Sequence, residues 1–181
     1  MDSTEGVDVG YSHLSHLECG RCGTGHAADR PQNLCGACRS PLLARYDLVA
    51  VRAALSPADL AGRPPDLWRY HELLPVGRET AVTTLGEGMT PLLPVRRYGE
   101  SIGLPRLLMK DEGLVPTRSF KARGAAVGVS RAAELGIERL AMPTNGNAGA
   151  AWSVYGARAG LATTIVMPVD APEITRRECV A

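Results

Sequence analysis

Lysine is nearly missing from this chain of 181 residues: Lys110 and Lys121 stand alone among 20 basic side chains, the rest being arginine. Arginine keeps its proton at working pH and forms no imine, so each remaining lysine is a candidate for amine chemistry. A codon bias toward arginine produces the same scarcity. Net charge is also nearly absent. Twenty basic and 19 acidic residues leave a formal +1, too little to draw in nucleic acid or an acidic membrane surface. No apolar run approaches the roughly 18 residues of a bilayer span. The start Met1-Asp2-Ser3-Thr4-Glu5-Gly6 has neither the basic nor the apolar region of a secretory signal. A soluble cytoplasmic protein is therefore expected. The 45% apolar content supports a packed core and argues against disorder. The length suits one modest domain, or a domain with a small appendage.

Five cysteines occur, and four are paired as Cys19-x2-Cys22 and Cys35-x2-Cys38. Each pair lies on a glycine-bearing turn, Cys19-Gly20-Arg21-Cys22-Gly23 and Cys35-Gly36-Ala37-Cys38. Such knuckles converge two thiolates and nearby amides on one ion, and two knuckles supply a tetrahedral set. Four thiolates fill the coordination sphere of zinc, which makes the metal structural. Iron on the same four thiolates is the other metal reading, and two disulfides are disfavoured without an export signal. His26 lies within the loop but is surplus to a complete ligand set, so exposure to solvent is expected for it. Cys179, unpaired in a predicted helix, reads as an inert thiol.

Along the chain, residues 1–13 are polar and expected to be flexible, 14–48 form the metal-clamped unit of short strands, and 49–84 make a connector. The connector holds a brief helix from Val49 to Leu55, stopped by Ser56-Pro57, and a loop at Gly62-Arg63-Pro64-Pro65. From about 85 onward, short apolar runs alternate with helical stretches. Strands are predicted at 107–110, 139–143 and 162–167. Helices are predicted at 119–135, with Ser119 as N-cap and Gly136 as stop, and at 148–159, stopped by Gly160. A last helix is capped by Asp170 with Pro172 in its first turn. This alternation predicts an α/β fold with right-handed crossovers and a parallel sheet.

Two segments carry chemistry. Lys121, in Pro116-Thr117-Arg118-Ser119-Phe120-Lys121-Ala122-Arg123-Gly124, falls in the first turn of a helix, where the positive dipole end favours an unprotonated amine. Thr144-Asn145-Gly146-Asn147-Ala148-Gly149 follows a strand and opens a helix. Its small residues and free amides suit an anion such as a carboxylate. Taken locally, the same stretch is equally an ordinary Asn-rich turn. Lys110 ends a strand and is expected to pair with Asp111 or Glu112.

These two motifs together resemble the fold-type II pyridoxal-phosphate enzymes, and within them the chain is most similar to the threonine synthases. The likeness extends through Cys19 to Cys38, Tyr46-Asp47-Leu48, Trp68-Arg69-Tyr70, Leu85-Gly86-Glu87-Gly88-Met89-Thr90-Pro91-Leu92 and Met109-Lys110-Asp111-Glu112-Gly113. The resemblance implies a tryptophan synthase β-like parallel-sheet domain over 85–181, preceded by a zinc-ribbon-like unit. It implies that Lys121 holds pyridoxal phosphate and shuttles protons, that Asn147 hydrogen-bonds the cofactor's 3′ oxygen, and that Thr144, Asn145 and Gly146 surround the substrate carboxylate. The implied reaction is that of a carbon–oxygen lyase, converting O-phosphohomoserine and water to threonine and phosphate, with a homodimer as the complete protein. A threonine or serine dehydratase, a β-replacement enzyme and a non-catalytic zinc-binding fragment are the alternatives. Arg118 departs from the pattern, standing where the family carries glycine. Members of the family run to about twice this length, so the glycine-rich loop for the cofactor phosphate is expected beyond residue 181, leaving an incomplete site here.

Overall fold

In the computed structural model, which describes residues 10–180, the chain divides into two units. The first takes in residues up to Pro64, Trp68–Val82 and Ser130–Gly136, and the second takes in Pro65–Leu67, Thr83–Val129 and the residues from Ile137 onward.

The first unit starts with an antiparallel sheet in the order β2-β1-β3, formed by β1 (Leu14–Cys19), β2 (Gly25–His26) and β3 (Leu42–Tyr46). The strands are short, and Leu43 is largely exposed, so little apolar area is buried between them. Within residues 14–46 the deepest side chains are instead Cys19 and Cys35, each 1% exposed. Of the stretch 1–13 expected to be flexible, residues 1–9 lie outside the described residues. Tyr11 stacks on His71, the Ser12 hydroxyl donates to Leu74 O at 2.5 Å, and His13 N donates to Glu72 O at 3.0 Å.

Helix α1 (Leu48–Ala54) starts where Asp47 accepts hydrogen bonds from the amides of Val49 and Ala50. A second short helix, α2 (Pro57–Ala61), follows with Ser56 and Asp59 in a reciprocal capping box. A 3₁₀ segment, Leu67–Leu73, then buries Trp68 and Glu72. Arg63 grips the Glu72 carboxylate with two nitrogens, at 2.8 and 2.6 Å, and that contact holds its pKa below the ordinary range.

The second unit contains β4 (Leu92–Pro94), α3 (Arg96–Ser101) and β5 (Leu108–Lys110), then α4 (Lys121–Glu134) as far as Val129, β6 (Arg139–Pro143), α5 (Asn147–Arg158), β7 (Ala162–Val166) and α6 (Glu173–Glu178). Strands β6 and β7 run parallel, from Arg139 opposite Ala162 to Pro143 opposite Val166, with α5 as the connection. This is the parallel sheet of the expected α/β fold, but β5 is not part of it. Strand β5 pairs antiparallel with β4 instead. The reason lies in α3, where a Cβ on Gly99 would stand 2.4 Å from Leu104 O; this close turn returns Leu107 beside Val95, whose amide donates to Leu107 O at 3.1 Å.

Helix α4 buries Ala122, Ala125, Ala126 and Val129 completely, the i, i+3, i+4, i+7 spacing of one helical face. It begins at Lys121, one residue later than the Ser119 cap predicts, and the Ser119 hydroxyl makes no capping bond. Its other expected boundary holds, with Gly136 in the left-handed region at φ 73°. Asp170 likewise does not cap α6: Pro172 occupies the N-cap, and no side chain caps the helix. Among the described residues, no helix is long and apolar enough to cross a membrane.

Candidate functional site

The four sulfurs of Cys19, Cys22, Cys35 and Cys38 lie within 4.8 Å of one another. Individual separations are 3.3 Å (Cys19–Cys38), 3.7 Å (Cys22–Cys35) and 3.6 Å (Cys22–Cys38). A tetrahedron of Zn–S bonds near 2.3 Å has sulfur edges of about 3.8 Å, so this cluster has the dimensions of a four-thiolate zinc site. The amides of Arg21 and Cys22 both point to Cys19 Sγ at 3.4 Å, and they lower its pKa. The side chain and amide of Thr24 pull Cys22 down to about 6. Both shifts favour the thiolates that bind metal, whereas at Cys38 the lowering contacts from Ser40 are outweighed by the Cys19 hydrogen bond and burial, which push that thiol up to about 11. His26, in β2, is half-buried rather than exposed and stands outside the four-sulfur set; its Nε2 has no hydrogen-bond partner among the described residues.

Lys121 is the first residue of α4 and is exposed. Its Nζ lies 4.4 Å from the centre of the Phe120 ring, and among the described residues it makes no ion pair. The loop leading into it contains two buried hydroxyls, Thr117 Oγ1 and Ser119 Oγ, with no hydrogen-bond partner among the described residues. Ser119 as a whole is only 8% exposed. Buried donors of this kind are costly to leave unmet, and their place beside the lysine fits a polar ligand with acceptor oxygens. Between them stands Arg118 at φ 55°, in the left-handed region that glycine occupies without strain. The glycine expected at this position thus serves a backbone angle. Arg118→Gly is predicted to raise stability by about 0.5–1 kcal/mol, read as a shift in denaturation midpoint.

Asn147 is the first residue of α5, a helix of 12 residues. Gly146 is its N-cap, extended at φ −160° and ψ −152°, without a side-chain cap. Thr144 Oγ1 accepts the Gly146 amide at 3.1 Å, while the amides of Asn147 and Ala148 have no partner among the described residues. Thr144, Asn145 and Gly146 are therefore brought together at an amide-bearing helix start, which suits a carboxylate. Gly149 is required by closeness, since a Cβ there would stand 2.7 Å from Cys179 Sγ. That thiol donates to Thr175 O at 3.3 Å, and burial raises its pKa.

A polar network surrounds these helices, of which sequence reasoning expected only the pairing of Lys110 with Glu112. Arg123, two residues after Lys121, holds Glu112 with Nε at 2.6 Å and a terminal nitrogen at 2.9 Å. Thr90 donates to the same carboxylate at 2.5 Å, and Lys110 Nζ lies 3.9 Å from it while donating to Thr90 O at 3.0 Å. The Arg123 hydrogen bonds chiefly hold Glu112 at about 2, against an ordinary 4.5. A depressed carboxylate contributes stability that is complete above its unfolded value and is lost as pH falls. Unfolding free energy is therefore predicted to drop by on the order of 2 kcal/mol between about pH 4.5 and 2, and Glu112→Gln to remove most of that acid limb in denaturant titrations.

Glu87, in the Leu-Gly-Glu-Gly segment, is completely buried. It accepts from the Tyr155 hydroxyl at 2.5 Å, from Thr84 Oγ1 at 3.1 Å and from Leu85 N at 3.0 Å. Burial first, and the Glu87 carboxylate second, push the Tyr155 phenol well above its ordinary pKa. A glutamate between two glycines was the available signal for this site. Its glycine is needed as well, because a Cβ on Gly88 would stand 2.5 Å from Asp66 Cα.

Comparison with known proteins accords with this arrangement. A family model described as "Pyridoxal-phosphate dependent enzyme" matches residues 83–181. The chain belongs to the pyridoxal-phosphate-dependent enzyme family. It is similar to the threonine synthase of Methanosarcina acetivorans, 39% identical over 86% of this chain and 37% of that protein. The threonine synthase of Methanocaldococcus jannaschii is 37% identical over 83% of this chain and 37% of its own length. That of Halalkalibacterium halodurans is 44% identical over 102 residues, 56% of this chain and 28% of its own. The matched stretches thus span between 28% and 37% of these relatives' own lengths. Membership in the pyridoxal-phosphate family implies the cofactor, and the cluster of four cysteines is a group that could hold a metal ion.

Proposed function

We propose that this chain forms part of a threonine synthase-type enzyme that converts O-phosphohomoserine and water to threonine and phosphate. The observation that carries the reading is that Lys121 and Asn147 each open a helix of the same unit, with the carboxylate-type loop Thr144–Gly146 beside the second. In this reading residues 14–48 are a structural zinc unit, 49–84 a connector, and 85–181 part of the catalytic domain.

Pyridoxal phosphate, when bound, supplies an electron sink for carbanions at the α and β carbons. The amine of Lys121 holds it and afterwards carries protons at Nζ. Asn147 donates its side-chain amide to the 3′ oxygen and so orients the ring. Thr144, Asn145 and Gly146 bind the substrate carboxylate through backbone and side-chain donors. The buried Thr117 and Ser119 hydroxyls are further donors for oxygens brought to the loop.

The test is product analysis on a full-length protein carrying this segment, offered O-phosphohomoserine, threonine and serine in parallel. Threonine and inorganic phosphate in equal amounts from the first substrate are expected. Keto-acid formation from threonine or serine, with no reaction of the phosphorylated substrate, would replace this reading with a dehydratase.

A further inference from the structure

Arg131 joins the last turns of α4 to the loop between the two cysteine pairs. One of its terminal nitrogens donates to Ala28 O, 103 positions earlier in the chain, and the other donates to the Glu134 carboxylate. Glu134 is itself held twice by Arg78, whose amide donates to Oε1 at 2.7 Å and whose guanidinium donates to the Glu134 carbonyl at 2.8 Å. The Arg131 and Glu134 side chains are only 22% and 5% exposed, so little water competes for these bonds. Ala28, Arg78, Arg131 and Glu134 all fall in the first unit, together with the four cysteines.

Ala28 belongs to no strand or helix. It lies between β2, which ends at His26, and Cys35. The segment is tied down at its flanks, where Cys22 Sγ lies 3.7 Å from Cys35 Sγ and 3.6 Å from Cys38 Sγ, and where Leu34 bridges to Pro41. Inside it, the Gln32 side chain donates to Ala27 O. The place of Ala28 O therefore depends on the two knuckles, and the knuckles depend on an ion that joins their four sulfurs. A guanidinium presents its donors in a fixed plane, so it reaches a carbonyl and a carboxylate together only when both stand in place.

We infer that Arg131 couples the metal site to the end of α4. The ion fixes the loop, the loop presents Ala28 O, and that carbonyl, with Glu134, holds the last turns of the helix whose first residue is Lys121. Coupling of this kind is reciprocal, so Arg131 also tightens metal binding although it is no ligand. The inference rests on the reading of the four cysteines as a zinc site, and its test separates the two.

Full-length protein carrying this segment is compared with its Arg131→Met and Arg131→Lys variants, with zinc bound and after chelation. Elemental analysis counts the zinc, hydrogen exchange follows the amides of Ser130–Gly136, and competition with a chromophoric chelator reads zinc affinity. Chelation of the unaltered protein is expected to raise exchange over Ser130–Gly136 about tenfold. Arg131→Met is expected to show that raised exchange with one zinc still bound, to respond no further to chelation, and to bind zinc about fivefold more weakly. Arg131→Lys, which keeps the charge without the fork, is expected to behave in the same way and stands in if Arg131→Met does not fold.

Zinc that binds while Ser130–Gly136 ignores its removal sinks the inference alone. So does a response to chelation as large in the Arg131 variants as in the unaltered protein, or an equal rise in α5, which reports general loosening. A protein that binds no zinc sinks the zinc-site reading, and the inference with it.

Discussion

Lys121→Ala is expected to abolish borohydride-stable capture of pyridoxal phosphate, leaving no adduct on the peptide that carries residue 121. Lysine chemistry on this chain has only one other side chain to use, Lys110. That amine is committed to Thr90 O at 3.0 Å and faces Glu112 at 3.9 Å, whereas Lys121 is exposed and makes no ion pair among the described residues. Lys110→Arg is therefore expected to leave capture intact. In the full-length enzyme, turnover should fall by on the order of 10³-fold or more in Lys121→Ala, since both attachment and proton transfer are lost. Lys121→Arg should fare no better, because arginine retains charge but forms no imine. The substituted side chain is exposed, so the thermal midpoint should move little. Undiminished capture in Lys121→Ala, or capture on Lys110, would sink the assignment.

The second large effect concerns the cysteine cluster. Cys35→Ser, or exposure to a strong chelator, is expected to release one metal ion per chain and to unfold the sheet of residues 14–46. The physical reason is the small apolar content of that unit: its most buried side chains are the ligands Cys19 and Cys35 themselves. Apparent metal-binding free energies of such sites are on the order of 10 kcal/mol, and in units without their own core that energy is folding energy. Cys22→Ser should be as damaging as Cys35→Ser although Cys22 is exposed, because a tetrahedral site needs all four sulfurs. Elemental analysis of the metal and limited proteolysis between residues 20 and 45 read the outcome. Full zinc content in Cys19→Ser and Cys35→Ser would rule the site out, and an iron signal would reassign the metal.

Much of this was legible in sequence where the information is local. The cysteine spacing specifies a four-sulfur cluster without reference to the rest of the chain. Strand β6 and helix α5 were readable to within a residue, because Gly136 and Gly160 mark the ends of helices by backbone geometry alone. Local signals failed where a competing partner decided the outcome. The strand at 108–110 is visible as an apolar run, but its pairing with Leu92–Pro94 depends on the tight turn at Gly99. Ser119 has the chemistry of an N-cap, yet its hydroxyl is buried one residue short of helical backbone. The Ser56–Asp59 capping box was available and unread. Arg123, Glu112, Glu87 and Tyr155 were the hardest case, since an ion pair across 11 residues and a hydrogen bond across 68 leave no periodic trace.

The glycines around α5 bear on how this sequence can drift. Gly128 lies under Trp152, Gly149 against Cys179 and Met167, and Gly156 against Thr163, where an added Cβ would come within 2.0 Å of the threonine hydroxyl. None of the three carries a reactive group. A saturation library of the second unit should nevertheless return almost nothing but glycine at 149 and 156, while Val154, Ala157 and Arg158 on the exposed side of the same helix vary freely. At 149 and 156 it is the girth of the helix, rather than any chemistry it performs, that decides which descendants of this sequence still fold.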